Sequence, residues 1–331
     1  MYQKKVSILV LFYNHEKFVK DCLDSIYEQT YKDYEVLIRD DASTDNTRNE
    51  IENYYKNKSK HNVDFDFGDE NLGIVKSYNI LLSKAKGDYI FGLAGDDMYC
   101  PNRISRAMEI FNQYKCSLVA NDAKIINENK EILSDSFYYK SKREYFKTID
   151  LGDILNNNLI IFNNLNFRKA IGFLFGGFGI AYKKDILQDI GYALPDYLKN
   201  EDSFIPFIAL LKGKIIFTKE TLQKYRMHNN NFYFGKKIDN KIMVNSLNEN
   251  YNAKIEYLKN YALENQYYNK KRRKMIKVIE KQIFINNLTL NENWTFLSRL
   301  KIIKKLLSNS YGGRLIFKYL WFCLTHKNTN K

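Results

Sequence analysis

Apolar and polar residues alternate along the first hundred residues with two different periods. Four short segments have the length and apolar content of strands, and the segments between them repeat apolar residues every three to four positions, as one helix face does. We predict strands over Val6–Phe12, Tyr34–Arg39, Val63–Phe67 and Tyr89–Leu93, and helices over Lys17–Gln29, from the Asp40–Asp45 turn to about Lys56, and over Ile74–Ala85.

Strands and helices therefore follow one another as βαβαβαβ. This order is typical of an α/β protein with a Rossmann-like, mostly parallel sheet flanked by helices, in which ligands bind beyond the carboxyl ends of the strands. After Pro101 the pattern is weaker. It predicts helices near 102–113 and 201–211, strands near 117–120 and 214–217, a glycine-rich aromatic segment over 172–182 suited to close backbone approach, and mainly helices from about 240.

The basic charge is confined to one end of the chain. The net charge is +14, but residues 270–331 hold 15 Lys or Arg and two acids, which leaves the preceding 269 residues close to neutral. We predict an α/β domain, large enough to be a catalytic domain, over 1–235 and a basic helical region over 236–331. The four cysteines form no CxxC pair, and the apolar run after the N-terminus lacks a cleavage site, so a reducing compartment and no export are expected.

Two pairs of aspartates follow predicted strands. Asp40 and Asp41 come after the second strand, where carboxylates can accept hydrogen bonds from a nucleobase or a ribose, although helix capping explains them equally well. Asp96 and Asp97 come after the fourth strand, and their mutual repulsion favours a hard divalent ion together with a diphosphate. The alternative is an ordinary turn before the helix that Pro101 opens.

Two further candidates lie in the second half of the domain. Glu201 and Asp202 begin a predicted helix, where an acid is stabilised in its charged form, as a cap or as a general base. His228 follows a strand-like segment and is either a metal ligand or a surface residue.

Several segments carry a more specific pattern when they are read in order. They are Val6–Asn14, Leu23–Thr30, Asp40–Asp45, Asn71–Gly73, a helix with Asn79, and Ala85–Ile90 leading to Asp96 and Asp97.

In this order the segments resemble the inverting family 2 glycosyltransferases with the GT-A fold, bacterial surface-polysaccharide type, over about residues 4–230. The resemblance implies a nucleotide-sugar half over 1–100, an acceptor half over 101–235 and a helical C-terminal extension. It implies Asp202 as general base, with Glu201 as the substitute candidate, and Asp97, Asp96 and His228 as metal ligands for Mn²⁺ or Mg²⁺. Asp41 would contact the nucleobase. The implied nucleotide-sugar-binding residues are Phe12, Asn14, Glu16, Asp40, Asp41, Asn71, Gly73, Lys76 and Asp96.

The sequence departs from the family pattern at one position. The usual metal motif has an acid two places before Asp96, where this chain has Ala94. We therefore expect either one ligand fewer or a larger share of the coordination on Asp97. A degenerate transferase that binds a nucleotide-sugar without turnover is the alternative reading of the same departure.

The basic region predicts where the protein acts. Phe296, Leu300, Ile303 and Leu307 share one helical face and lysines occupy the other, while the apolar run 315–324 is too short to span a bilayer. We expect peripheral attachment to the anionic inner face of the plasma membrane, where lipid-linked glycan acceptors are found. A helix packed on the domain, or an oligomer contact, remains open.

Other classes of protein explain the sequence less well. A nucleic-acid binder would use Lys270–Lys274, but no helix-turn-helix, zinc-finger or RNA-binding signature accompanies this run, so no nucleic-acid partner is expected. A dehydrogenase and a nucleoside triphosphatase are disfavoured because neither GxGxxG after the first strand nor GxxxxGK[ST] occurs.

Overall fold

The computed structural model describes residues 5–56, 62–137, 154–156, 159–162, 179–198, 200–228, 231 and 240–260, with isolated helical positions between 273 and 283. The chain divides into two compact units, Met1–Lys281 and Gln282–Lys331, and every helix and strand described below belongs to the first. The predicted boundary at residue 235 stays a prediction. Four segments singled out in the sequence lie outside the described residues. They are the lysine-rich helix predicted around 296–307, the apolar run 315–324, most of the glycine-rich segment, and Lys270–Lys274 except Arg273.

Strands and helices alternate over the first hundred residues as predicted. The strands are β1 (Val6–Phe12), β2 (Tyr34–Asp40), β3 (Val63–Phe67), β4 (Tyr89–Ala94) and the short β5 (Met98–Tyr99), and the helices are α1 (Val19–Tyr27), α2 (Thr47–Lys56) and α3 (Ile74–Lys84).

The second half is more irregular. It contains α4 (Arg103–Tyr114), β6 (Leu118–Ile126), β7 (Ile132–Ser134), β8 (Ile154–Asn156), β9 (Leu159–Phe162), β10 (Ile180–Lys183), a 3₁₀ helix (Lys184–Ile190), α5 (Phe204–Lys212), β11 (Ile215–Arg226) and α6 (Asn240–Asn260).

All described strands belong to one sheet. Its order is β3-β2-β1-β4-β10-β6-β11-β9-β8, with β5 paired to β11 and β7 to β6. The first four strands are parallel, β10 is antiparallel to both of its neighbours, and β6 and β11 are again parallel. The predicted α/β class, with a mostly parallel sheet flanked by helices, is confirmed. Among the described residues, none of the helices has the length and hydrophobicity needed to cross a bilayer.

The core explains why the first half follows the sequence pattern closely. Strand β1 is apolar on both faces because helices cover both sides of a parallel sheet, and Val6, Ile8 and Val10 are completely buried. Helix α1 packs Cys22, Leu23 and Ile26 into the same core. Burying each side chain of this size contributes about 1.5–3 kcal/mol, so the central strands are fixed firmly and the loops that follow them start from defined positions.

Candidate functional site

The loops that carry the predicted site residues start at one edge of the sheet. Strands β1, β2 and β4 end in register there, since Phe12 pairs with Asp40 and Leu11 pairs with Ala94. The amide of Asp41 donates to the carbonyl of Phe12, and the amide of Gly95 donates to the carbonyl of Leu11. The residues following β2 and β4 therefore leave the sheet on either side of β1, at its carboxyl edge.

Gly95 permits a close approach at this edge. A Cβ atom on Gly95 would lie 2.2 Å from Cδ1 of Phe12, so any other residue would displace the Phe12 ring. Phe12 is buried, and its ring packs edge-on against His15. Phe12, predicted to bind the nucleotide-sugar, thus lies underneath the loop that carries Asp96.

Hydrogen bonds join the loop after β1 to the loop after β2. The amide of Asn14 donates to Oγ of Ser43, and Oδ1 of Asn14 accepts the amide of Thr44. Glu16 makes a similar contact between the two loops, since its carboxylate accepts a hydrogen bond from the amide of Asn46. Asn14 and Glu16 therefore hold the two loops together in this structure, and their predicted contact with the donor stays a prediction.

Asp41 organises the turn before α3. Its two carboxylate oxygens accept the amides of Leu72 and Gly73, at 3.1 and 2.8 Å, and the hydroxyl of Ser77 at 2.6 Å. The guanidinium of Arg39 lies 3.3 Å from the same carboxylate. Asp41 is buried and fully engaged, so its most direct role is to hold the turn that leads into α3; its predicted contact with a nucleobase stays a prediction.

The remaining donor-site candidates surround this turn. Burial raises the pKa of Asp40, against hydrogen bonds from Ser43 that lower it. Oδ1 of Asn71 accepts the amide of Gly73, which has a φ of 80° and begins α3. Lys76 is exposed on the first turn of the helix. The structure thus gathers these candidates on neighbouring loops, and their contacts with a ligand stay predictions.

Asp96 lies between two histidines. Its Oδ2 atom is 3.0 Å from Nε2 of His228 and 3.9 Å from Nε2 of His15, and the amide group of Asn231 donates to it at 3.2 Å. Burial opposes ionisation of Asp96, but the hydrogen bond with His228 and the electrostatic interaction with the nearby His15 outweigh it and lower the pKa of Asp96. Burial lowers the pKa of His15, which favours the neutral imidazole that binds metals.

Asp97 turns away from this cluster. Its Oδ1 atom accepts the amide of Arg226 at 2.9 Å, and its Oδ2 atom accepts Nε2 of Gln223 at 3.1 Å. Burial and the neighbouring charge of Asp96 raise the pKa of Asp97 well above its usual value. Asp97 is therefore not among the ligand atoms that come together, and its predicted metal ligation stays a prediction.

The side chain of Arg226 supports the loop between β4 and β5. Its side chain is completely buried, and Nε donates to the backbone carbonyl of Asp96 at 2.8 Å. The same guanidinium pairs with Asp21 of α1 at 3.0 Å and lies over the ring of Phe18. One residue at the end of β11 thus connects β4, α1 and the aspartate pair. The sequence analysis missed Arg226, His15 and Asn231, since nothing local distinguishes them from loop and strand residues.

Glu201 and Asp202 lie in the turn before α5. Burial, and then the neighbouring charge of Asp202, raise the pKa of Glu201 well above its usual value, and its Oε2 atom is buried without a hydrogen-bond partner. Because its pKa is raised, Glu201 favours its protonated form, while Asp202 is half-buried. Two buried hydroxyls, those of Tyr78 and Tyr182, are hydrogen-bonded to each other at 2.9 Å.

A divalent cation fits the cluster around Asp96. Within the described part of the chain, ligand atoms of His15, Asp96 and His228 lie within 4.8 Å of one another. Two imidazoles and one carboxylate are an ordinary ligand set for first-row divalent ions. Nδ1 of His15 is buried without a hydrogen-bond partner, which leaves this imidazole without another binding role.

Solved structures share this fold. Residues 1–349 of TarS from S. aureus, in complex with UDP-GlcNAc, align with a TM-score of 0.62 at 19% identity, covering 91% of this chain and 79% of that one. A mannosyltransferase from Pyrobaculum calidifontis, PcManGT, in complex with GDP-Man and Mn²⁺, aligns with a TM-score of 0.58 at 15% identity, covering 97% and 84%. The architecture is thus that of the GT-A glycosyltransferases.

Sequence relatives give the family. The family model described as glycosyl transferase family 2 matches residues 7–191, more than half of the chain, and the chain belongs to this family. Glycosyltransferase GlyA of Streptococcus pneumoniae is 25% identical over 231 residues, 67% of this chain but only 30% of GlyA. The uncharacterized glycosyltransferase MJ1057 of Methanocaldococcus jannaschii is 27% identical over 248 residues, 70% of this chain and 84% of that protein.

Proposed function

We propose that the protein transfers one sugar from a nucleotide-sugar, with UDP as the default nucleotide, to a hydroxyl of a lipid-linked or surface glycan, with inversion at the anomeric carbon. The observation that carries this proposal is the convergence of the Asp40–Asp41 loop and the Asp96–His228 pair at one carboxyl edge of the sheet. This edge is where open α/β sheets bind their ligands.

The donor would lie along the loops after β1, β2 and β4. Asp40, Asp41 and the 71–76 segment would contact the nucleoside, since they lie on one side of β1, and Asp96 and His228 on the other side would face the diphosphate. A divalent ion held by Asp96 and His228 would neutralise the negative charge that develops on the leaving diphosphate.

Asp202 would act as the general base. It would accept the proton of the acceptor hydroxyl as that oxygen bonds to the anomeric carbon and the bond from this carbon to the diphosphate oxygen breaks. Glu201 is the weaker candidate, because its raised pKa favours the protonated form and a protonated carboxyl cannot accept this proton.

Replacing the base tests its assignment. We expect Asp202→Asn to reduce turnover at least about a hundredfold, as for other positioned acid-base groups, with donor affinity within about twofold of wild type. Asp196→Asn, a change at an exposed aspartate six residues earlier, is the matched control and should leave both quantities unchanged. Normal turnover of Asp202→Asn would refute the assignment, and the anomeric configuration of the product, read by NMR, tests inversion.

Calorimetric titration tests the donor site itself. The purified protein is titrated with UDP, GDP and dTDP, each with and without Mn²⁺. We expect one nucleotide to bind with at least about tenfold higher affinity when Mn²⁺ is present, because the diphosphate supplies ligands that the protein lacks. Absence of binding by all three nucleotides under both conditions would contradict the proposed function.

The proposed acceptor and location are supported by the distribution of charge along the chain. The excess of 13 positive charges in residues 270–331 supports attachment to an anionic cytoplasmic leaflet, where a lipid-linked acceptor of lipopolysaccharide or capsule synthesis would lie. Flotation of the full chain with anionic vesicles should fall when Lys301, Lys304 and Lys305 are changed to Gln. The matching change at the exposed Lys32, Lys56 and Lys86 should have little effect, and equal flotation of both variants would contradict membrane attachment through this region.

A further inference from the structure

His15 has no part in the function proposed so far, yet it lies beside the proposed metal ligands. It directly follows Asn14, which has a positive φ of 56°, and its ring lies 6.2 Å from the ring of His228. Nε2 of His15 is 3.9 Å from Asp96, too far for a hydrogen bond, and Nδ1 is buried without a partner. Nε2, which faces Asp96, is therefore the ring nitrogen that a ligand could bind.

The surrounding structure fixes the position of this imidazole. The backbone amide of His15 donates to Oγ1 of Thr47 at 2.8 Å, which attaches the loop to the start of α2. The ring is enclosed by the rings of Phe12 at 6.4 Å and Phe18 at 6.3 Å. Phe18 also contacts the ring of His228, at 5.0 Å. The ring of Phe18 therefore contacts both imidazoles and helps to fix their positions beside Asp96.

The distances suit one metal ion. Ligands bound to one ion at about 2.1 Å are at most about 4.2 Å apart. The separations from Asp96 to His228 and to His15, 3.0 and 3.9 Å, already satisfy this limit. All ligand atoms of the cluster lie within 4.8 Å of one another, so the histidines need to approach by no more than about half an ångström.

The carboxylates in the cluster with His15 and His228 are too few for a typical magnesium site. Ala94 stands where the family pattern has an acid, and both oxygens of Asp97 accept hydrogen bonds from Gln223 and the Arg226 amide. One carboxylate, Asp96, is left beside two imidazoles. Mg²⁺ prefers oxygen ligands and water, whereas imidazole nitrogen favours first-row transition ions, in the order Mn²⁺ below Co²⁺.

We propose that His15 is a metal ligand alongside Asp96 and His228, and that this second imidazole makes the site select first-row transition ions over Mg²⁺. The inference rests on the proposed function, because the ion would be the one that faces the donor diphosphate. It assigns to the end of β1 the ligand that the Ala94 position lacks.

Metal titration of the full chain tests this selectivity. Apo protein is titrated with Mn²⁺, Co²⁺ and Mg²⁺, alone and with saturating UDP or whichever of GDP and dTDP binds. We expect wild type to bind Co²⁺ more tightly than Mn²⁺, and Mn²⁺ at least about tenfold more tightly than Mg²⁺. His15→Gln should weaken Mn²⁺ binding at least about tenfold and Mg²⁺ binding less than about twofold. His61→Gln, the loss of an imidazole elsewhere in the sequence, is the control and should change neither.

Pulsed EPR of bound Mn²⁺ gives a direct readout that a purely structural role would not change. The wild-type complex should show couplings from two imidazole nitrogens, and His15→Gln and His228→Gln should each show one. A single coupling in wild type, or wild-type Mn²⁺ affinity in His15→Gln, would overturn the inference.

The outcomes separate this inference from the proposed function. If His228→Gln loses Mn²⁺ while His15→Gln retains it, the donor-site metal stands and the role of His15 is wrong. If wild type binds no divalent ion with any of the three nucleotides, the metal-dependent transfer proposed above fails together with this inference. Thermal unfolding of each variant establishes that the fold is intact before either conclusion is drawn.

Discussion

Two aspartate pairs follow β2 and β4, the strands on either side of β1, at the same edge of the sheet, and their surroundings differ. After β2, Asp41 is saturated by donors from its own half of the domain, namely two backbone amides, a serine hydroxyl and a guanidinium. After β4, Asp96 receives its contacts from His228 and Asn231, which are more than a hundred residues away in the chain. The first pair is built into the local fold, and the second depends on β11 being in place.

This difference predicts different roles for two chemically identical pairs. A carboxylate whose oxygens are all engaged by buried donors contributes mainly to the stability of the fold. A carboxylate that faces two imidazoles, one of them without a hydrogen bond, is arranged for a cation. The contrast can be tested by substituting each aspartate and measuring stability and turnover in parallel.

The largest expected effect is on turnover at Asp96. We expect Asp96→Ala to lower glycosyl transfer about 10³-fold, because a metal contributes several kcal/mol to charge stabilisation in the transition state. Its free energy of unfolding should change by about 1 kcal/mol or less, since the lost His228 contact is offset by relief of the repulsion with Asp97. Turnover assays and urea denaturation check the two parts, and a large loss of stability would erase the contrast with Asp41.

The next effect is on stability at Asp41. Asp41→Ala should lower the free energy of unfolding by about 3 kcal/mol, because it leaves buried amides unpaired and removes a partner from the buried Arg39. Asp41→Asn keeps a carbonyl acceptor and should cost about 1 kcal/mol. Urea denaturation measures both. Should Asp41→Ala prove as stable as wild type while losing nucleotide affinity, the predicted nucleobase contact would replace the role of Asp41 in holding the turn before α3.

A smaller effect is expected at Gly95, which separates the Asp96 loop from Phe12. Gly95→Ala should destabilise the protein by about 2 kcal/mol, because its Cβ would lie 2.2 Å from the Phe12 ring. Gly92→Ala in β4, the strand that Gly95 directly follows, is the matched control, since its Cβ would meet Tyr78 at an ordinary 3.8 Å. Thermal unfolding compares the two variants, and an equal loss in both would show that the strand, rather than the Phe12 contact, is sensitive.

The smallest expected effect extends the contrast to the third acidic pair. The pKa of Glu201 is raised in the folded protein, so its carboxyl binds a proton more strongly in the folded state than in the unfolded state. The contribution of Glu201 to stability therefore falls as the pH rises above the unfolded pKa near 4.5. Glu201→Gln should therefore gain stability over wild type between pH 5 and pH 8, increasingly with pH. Urea denaturation at several pH values measures the difference. A difference that does not vary with pH would show that Glu201 is ionised in the folded state.

The first half of the fold was predictable because its signals are local. Strand Val63–Phe67 has the predicted bounds, and α3 ends one residue before its predicted end. The second half was predicted less completely: β11 runs from Ile215 to Arg226, far beyond the predicted 214–217. The second half of β11 is polar and contains lysines, so no alternation of apolar residues indicates a strand there. Pairing with β6 and β5 holds this part of the strand in the sheet.

The sequence by itself determined the α/β class, the family and the placement of three acidic pairs at strand ends or helix starts, because apolar periodicity and short motifs are encoded within a few residues of one another. The tertiary structure decided which carboxylate is free for chemistry. Asp96 and Asp97 are adjacent in the chain, yet one faces His228 and the other the amide of Arg226. That choice depends on strand β11 and on the loop after β1, which the chain brings together only when the sheet has formed.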